Sequence, residues 1–163
     1  WGTDSISIRK ELQFVEAYLE LQKYRFGDRL SYKIEAEEDC LCCYVPKLTL
    51  VTFVENACVH GLENKTAPGW IFVRCSSRDG FLSMEIEDTG HGMSAVLLAD
   101  LQQKMENASM QLLKEKSSVG ILNACLRLRM ATENTVKFQL ESEEASGTIV
   151  TIIIPEEKLR TGT

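Results

Sequence analysis

The segment covering residues 54–62 places one asparagine and one histidine four residues apart within an otherwise apolar pattern. A spacing of four puts Asn56 and His60 on the same face of an α-helix, one turn apart. Apolar residues at Leu48 and Val51 continue a stripe before them, as expected for a helix with one buried side. The segment therefore predicts a helix that packs on a core and offers an amide and an imidazole to a site.

A second feature is a strand pattern that runs directly into a glycine-containing turn. Residues 81–87 alternate between apolar and polar, and Asp88 is then followed by Gly90, His91 and Gly92. A carboxylate at a strand end beside two glycines can present an acceptor to a ligand while the backbone turns closely around it. The alternative is a carboxylate that only caps a turn, and His91 is interpreted as a turn residue.

The third feature is the start of a later helix, at residues 117–123. Its entry contains two serines and Gly120, and Asn123 lies in its first turn. A helix N-terminus of this kind binds phosphate through free backbone N–H groups.

Taken in chain order, these three segments resemble the N, G1 and G2 boxes of the ATPase fold shared by histidine kinases, gyrase, MutL and the heat-shock chaperone of that superfamily. Within the superfamily, the chain resembles sensor histidine kinases of the LytS/YesM type. The likeness runs from Glu11-Leu12 through residues 18–30 to Gly147-Thr148. Ordered, co-linear motifs are far more specific than a single glycine loop.

The resemblance implies a nucleotide site around Asp88. In the family this carboxylate accepts the exocyclic amine of adenine, which selects adenine because guanine has a carbonyl at that position. Gly90 and Gly92 would let the chain pass close beneath the base, and Met93 would form the floor under it.

The resemblance also assigns the phosphate end of the site. Asn56 would be the ligand of Mg²⁺, a hard cation that prefers oxygen, and His60 would donate a hydrogen bond to phosphate. Backbone N–H groups at Gly120 and Asn123 would face the phosphates. From the residues alone, Asn56 could equally be a surface or capping residue and His60 a structural histidine, and the role of Glu55 stays open.

Two departures from the family pattern bear on function. Ser118 stands where the first glycine of the lid-to-helix turn is usual, which would stiffen the turn and weaken phosphate binding. Thr52 lies one turn before Asn56, where hydrolysing branches carry a glutamate that activates water, and threonine cannot replace that base. The sequence thus favours phosphoryl transfer, with an ATP-hydrolysing clamp or a degenerate binding module as alternatives.

Patterns along the chain predict one domain over residues 1–163, with a leading helix and connection over about 1–30 and a mobile ATP lid over about 94–118. Pro46 fits the first turn of the Asn56 helix, and Asp79-Gly80 predicts a hairpin. The predicted fold is α+β, a two-layer α/β sandwich with helices on one face of a mixed sheet, which the resemblance makes a Bergerat-type ATP-binding fold. Helices are predicted over about residues 7–26 and 120–130, and strands over about 30–34, 70–76, 81–87, 136–141 and 148–154.

The composition of the chain disfavours some classes of binding partner. A net charge of −6 and a pI near 5.0 argue against a nucleic-acid surface. No apolar run approaches the roughly 18 residues of a membrane span, so no membrane contact is expected of the domain itself. The six cysteines lack the spacing of a zinc site and predict buried free thiols.

The expected partners follow from the resemblance. They are ATP with Mg²⁺, a histidine-bearing dimerisation segment of the parent protein, and a response regulator. The chain has two histidines, His60 and His91, and neither suits an acceptor because both lie within the predicted nucleotide site. The acceptor is therefore expected before Trp1, in a homodimeric parent that is anchored in the cell membrane and exposes this domain to the cytoplasm.

Overall fold

The structure, a computed structural model, describes residues 5–62, 67–107 and 119–159. Within these ranges the helices are α1 Ile8–Phe26, α2 Thr49–Asn56, α3 Ala95–Glu106 and α4 Val119–Ala131, and a π-helical turn, Ala57–Leu62, continues α2. The strands are β1 Ser5–Ser7, β2 Leu30–Ala36, β3 Tyr44–Pro46, β4 Gly69–Arg78, β5 Phe81–Asp88, β6 Lys137–Glu143 and β7 Gly147–Pro155.

The main sheet has five strands in the order β2-β4-β5-β7-β6. β2 is parallel to β4, and the other neighbours are antiparallel, so the sheet is mixed. Alternate residues of the central strands β4, β5 and β7 are buried, as Leu82, Met84 and Ile86 are in β5, because one face of the sheet packs against the helices. The predicted two-layer α+β sandwich is confirmed.

The sequence explains where α1 begins and ends. The Ser7 side chain accepts a hydrogen bond from the Lys10 backbone N–H and caps the first turn. Residues at helical spacing, including Leu12, Val15 and Leu19, are buried against the core. The helix ends at Phe26, because the next residue, Gly27, has a φ of 63° and cannot continue the right-handed helix.

The hairpin between β4 and β5 forms as predicted. Asp79 and Gly80 have φ values of 54° and 83°, the left-handed conformations of a two-residue type I′ turn. The turn fixes the register that places Asp88 opposite Ile71, at the end of β5. A short-range signal near Gly80 therefore positions a residue at the opposite end of the strand.

The prediction for Pro46 was wrong. Pro46 is the last residue of β3 and pairs with Ser5 of β1 in a separate two-stranded sheet, where the absence of a proline N–H is tolerated. α2 begins three residues later, at Thr49, and Leu48 before it is exposed rather than part of the buried stripe. The competing strand pairing displaces the helix start.

The first half of the predicted lid is helical. Ser94 caps α3 by accepting a hydrogen bond from the Leu97 backbone N–H. The rest of the predicted lid, including Ser118, lies outside the described residues, so the mobility of residues 94–118 stays a prediction. In the ranges that the structure does describe, no helix is both long and apolar enough to cross a membrane.

Candidate functional site

A cavity of about 310 Å³ collects most of the predicted site residues. Side chains from α2, its π-helical continuation and α3 line it, together with residues of β5, β6 and β7. Of the eight predicted nucleotide-site residues, five line this cavity: Asn56, His60, Asp88, Gly92 and Met93.

Asp88 is held rigidly in the cavity wall. It is 5% exposed, and its Oδ1 accepts a hydrogen bond of 2.9 Å from the Gly90 backbone N–H. An added Cβ at Gly61 would lie 2.6 Å from the Asp88 Cγ, so only glycine allows the carboxylate to take this place. The structure therefore holds the carboxylate in a fixed orientation in the cavity wall, and its role as an acceptor for a ligand stays a prediction.

Gly90 does not line the cavity but holds its wall together. A Cβ there would lie 1.7 Å from the carbonyl oxygen of Gly61, so the two backbones cross in direct contact. The same Gly61 oxygen accepts a hydrogen bond of 3.0 Å from the His91 backbone N–H. The turn after β5 is thus fastened to the π-helical turn that carries His60, and π-helical turns of this kind are frequent at functional sites.

Sequence reasoning missed the residues that support Met93. The Met93 backbone N–H donates to Ser142 Oγ at 2.8 Å, and Ser142 donates to the Gly147 carbonyl at 2.9 Å. Because a hydroxyl has one proton, the 2.8 Å contact between Ser142 Oγ and Thr148 Oγ1 must use the Thr148 proton. Thr148, which lines the cavity opposite Asp88 in the strand register, can then offer a ligand lone pairs only.

Lys104 is a second residue whose place the sequence left open. It lines the cavity from α3 and makes an ion pair of 3.2 Å with Asp100, one turn earlier. Among the described residues that line the cavity, Lys104 carries the one permanent positive charge. From the sequence, Lys104 could approach the γ-phosphate of a bound nucleotide, but a solvated loop is the commoner explanation for a lysine in a polar segment.

Three residues of interest lie away from the cavity wall. Gly120 packs against α2, where an added Cβ would contact Thr52 Cγ2 at 3.5 Å. Asn123 is exposed on α4, and Ile121 lines the cavity in this part of the helix. Glu55 is exposed and does not line the cavity. The segment before α4 lies outside the described residues, so the phosphate-binding role of Gly120 and Asn123 stays a prediction.

Thr52 has no free base to offer. Its Oγ1 donates a hydrogen bond of 2.7 Å to the Leu48 carbonyl, back along its own helix. The side chain that precedes Asn56 by one turn is therefore a hydroxyl turned onto the backbone.

The six cysteines are free thiols, and all but Cys42 are buried. The prediction of buried thiols was therefore wrong for Cys42, which is exposed. Cys58, in the π-helical turn, has its pKa raised to about 12 by burial and by the nearby charges of Asp88 and Glu55. It stays neutral and behaves as a small apolar side chain.

Comparison with known families gives two matches. The family model described as histidine kinase-, DNA gyrase B- and HSP90-like ATPase matches residues 46–158, and a model described as histidine kinase matches residues 2–30. The chain therefore belongs to the family of histidine kinase-, DNA gyrase B- and HSP90-like ATPases.

Individual relatives narrow the class. Over 93% of its length, the chain is 27% identical to the sensor histidine kinase YesM of Bacillus subtilis and to the sensor protein LytS of Bacillus anthracis. Its fold matches the catalytic domain of the histidine kinase ThkA with a TM-score of 0.67 and 16% identity, covering 94% of this chain and 97% of that one. The chain is the ATP-binding catalytic domain of a two-component sensor histidine kinase of the LytS/YesM type.

The match covers only part of these relatives. The chain spans 24% of the length of YesM and 25% of the length of LytS. The activities and partners of a whole sensor kinase therefore extend beyond what this domain contains.

Proposed function

We propose that the cavity binds ATP with its adenine at Asp88 and its phosphates toward Asn56, His60 and Lys104. The observation that carries this proposal is the Asp88 carboxylate, which is nearly fully buried and oriented by the Gly90 N–H. A buried acceptor of fixed direction suits the amine of adenine and opposes the carbonyl of guanine. Met93 and Gly92 line the same cavity and would contact the base.

The amide oxygen of Asn56 suits a magnesium ion that is bound together with nucleotide. Asn56 is half-buried and lines the cavity, and its amide oxygen is a hard ligand suited to Mg²⁺. Among the described residues, no group of three or more His, Cys, Asp or Glu side chains could hold a metal. Mg²⁺ commonly takes one or two protein ligands with phosphate oxygens and water, and when bound it offsets charge on the phosphates.

His60 and Lys104 complete the proposed phosphate end. His60 is exposed at the edge of the cavity, where it can donate a hydrogen bond, and Lys104 adds a positive charge. Backbone N–H groups at Gly120 and Asn123 are proposed to join them at the start of α4.

The domain is proposed to position ATP for transfer of its γ-phosphoryl group to a histidine outside this chain. Thr52 supports transfer over hydrolysis, since its hydroxyl is bonded to the backbone and cannot act as the base that activates water. Positioning and charge stabilisation are the main requirements of phosphoryl transfer. The proposed partners are a histidine-bearing dimerisation segment and a response regulator, in a homodimeric parent that is anchored in the membrane and exposes this domain to the cytoplasm.

Asn56→Ala is expected to remove the magnesium dependence of ATP binding. In the wild type, ATP with Mg²⁺ at about 100 times the dissociation constant should stabilise the fold by roughly 2.7 kcal/mol, which raises Tm by about 5–10 °C. Adding EDTA should reduce that rise, because the cation no longer screens the phosphates. In Asn56→Ala the rise should be small with either addition.

The matched control is Asn107→Ala, which replaces an exposed asparagine that lies after α3 and outside the cavity wall. Thermal unfolding of the three proteins with ATP, in Mg²⁺ or in EDTA, makes the comparison. If the ATP-induced rise in Tm depends on Mg²⁺ in Asn56→Ala as it does in the wild type, Asn56 is not the metal ligand.

A further inference from the structure

A buried carboxylate on α1 contacts the start of α2. Glu11 is 0% exposed, and its Oε2 accepts a hydrogen bond of 3.0 Å from the Leu48 backbone N–H, 37 residues away in sequence. The nearby N–H groups of Thr49 and Val51 also favour the ionised carboxylate. Glu11 therefore acts as a helix cap for α2, supplied by a different helix.

The sequence of α2 provides no cap of its own. Leu48 occupies the N-cap position, makes no side-chain hydrogen bond there and has a left-handed φ of 66°. The first turn contains no acidic residue, and the Thr49 hydroxyl is used in a hydrogen bond to the Pro46 carbonyl. The backbone before α2 is strained, and Glu11 accounts for how its first N–H is satisfied.

This carboxylate costs stability where it lies. Burial raises the pKa of Glu11 to about 7, and the Arg127 charge on α4 and the α2 N–H groups only partly oppose that effect. Glu11 Oε1 is buried and has no hydrogen bond of acceptable geometry within the described ranges. An apolar side chain of similar size would avoid this cost, so the carboxylate is better explained by what it positions than by stability.

Both ends of α2 are then fixed, and the proposed site lies at the far end. Glu11 holds its first turn, while the helix ends at Asn56 and continues into the turn that carries His60. That turn is fastened by the hydrogen bond from His91 to Gly61. Because a two-turn helix moves as a rigid unit, a shift of its first turn displaces Asn56 and His60.

The contact also joins two separately recognised parts of the chain. Glu11 lies in residues 2–30, which match the histidine kinase model, and Leu48 lies in residues 46–158, which match the ATPase model. α1 packs along α2 across the same boundary. A displacement of α1 would therefore reach the cavity through α2.

We propose that Glu11 is a positioning residue for nucleotide binding: its hydrogen bond to the start of α2 sets the position of Asn56 and His60 and couples α1 to the cavity. The inference rests on the proposed nucleotide site. It assigns Glu11 no contact with ATP, so its effect must be transmitted through α2.

Two variants of similar volume isolate the hydrogen bond. Glu11→Gln keeps an oxygen acceptor for the Leu48 N–H, whereas Glu11→Met fills the space without an acceptor. Titration with ATP and Mg²⁺ should give a dissociation constant within about two-fold of wild type for Glu11→Gln and about three- to ten-fold higher for Glu11→Met. Equal affinities for the two variants would overturn the proposal.

Val15→Ala separates positioning from general loss of stability. Val15 is a fully buried residue of α1, so its truncation should lower Tm while leaving the ATP dissociation constant unchanged. Weakening of ATP binding by Val15→Ala as large as that by Glu11→Met would also contradict the proposal.

Asp88→Asn in the same titrations distinguishes failure of this inference from failure of the site itself. Weak binding by Asp88→Asn with normal binding by Glu11→Met rejects only the role of Glu11. Normal binding by Asp88→Asn rejects the nucleotide site and the inference built on it.

Discussion

Asp88→Asn is expected to weaken ATP binding by about ten- to 150-fold, the equivalent of about 1.5–3 kcal/mol for a charge-assisted hydrogen bond. The Gly90 N–H needs an oxygen acceptor, so the new amide should keep its oxygen at the present position of Oδ1. The amide NH₂ group then replaces the second carboxylate oxygen. A donor would face the adenine amine, which is also a donor.

The same substitution tests base selection. Wild-type protein should bind ATP and not GTP, and Asp88→Asn should lose most of this discrimination because its amide opposes adenine but suits a carbonyl. Calorimetric titration with ATP and with GTP gives the ratio of the two dissociation constants for the wild type and for Asp88→Asn.

Asp100→Asn is the matched control for Asp88. It makes the same chemical change at another carboxylate of the cavity, one whose side chain is 57% exposed and paired with Lys104. We expect its ATP affinity to remain within a few-fold of wild type. An Asp88→Asn variant that binds ATP as tightly as this control would exclude Asp88 as the adenine acceptor.

Glu11→Gln is expected to make the protein more stable at pH 8 and to leave its stability near pH 4 unchanged. The pKa of Glu11 rises from 4.5 to about 7 on folding, so the folded state favours the protonated carboxyl. That contribution is fully present below pH 4.5 and is lost as the pH rises through 7. At about 1.4 kcal/mol per pKa unit, the loss is about 3.5 kcal/mol at pH 8, or about 7–14 °C in Tm.

Glutamine cannot ionise, so its contribution is the same at every pH. The difference in Tm between Glu11→Gln and wild type should therefore grow from pH 5 to pH 8. Glu16→Gln, the same change at an exposed position of the same helix, is the matched control. Parallel pH profiles for wild type and Glu11→Gln would show that Glu11 ionises normally in the fold.

Local patterns account for the parts of the fold that the sequence predicted. Ser7 caps the start of α1 and Gly27 ends it, and Asp79-Gly80 selects the hairpin turn. Each of these signals acts within a few residues of the structure that it determines. Pro46 misled because its environment is set by pairing with β1, some 40 residues away. Propensity for a helix start gave way to a tertiary contact that periodicity does not encode.

The site residues also fall into those that local patterns indicate and those that depend on long-range contacts. Asn56 and His60 could be named as candidates because their spacing gives them one helical face, and Asp88 because it ends a strand before glycines; all three line the cavity. Gly61 and Thr148 went unassigned because their importance arises from contacts with Asp88 and its neighbours across the fold. In the sequence, the one indication that Gly61 matters is that it directly follows His60.

Glu11 shows most clearly which contacts the sequence alone does not predict. In sequence it belongs to an amphipathic helix, where an acidic residue in the first turn is commonplace. Only the packing of α1 on α2 makes it a buried cap for Leu48, 37 residues away. Such long-range partners follow from topology, which one sequence does not specify residue by residue.

Transfer of label from γ-labelled ATP tests the central claim most directly. Two samples are incubated with ATP and Mg²⁺: the chain alone, and the chain joined to the proposed histidine-bearing segment. Acid-labile phosphohistidine and free phosphate are then measured. We expect no label and little phosphate release from the chain alone, and phosphohistidine on the added segment. Stoichiometric label on His60 or His91, or steady phosphate release by the chain alone, would contradict the account.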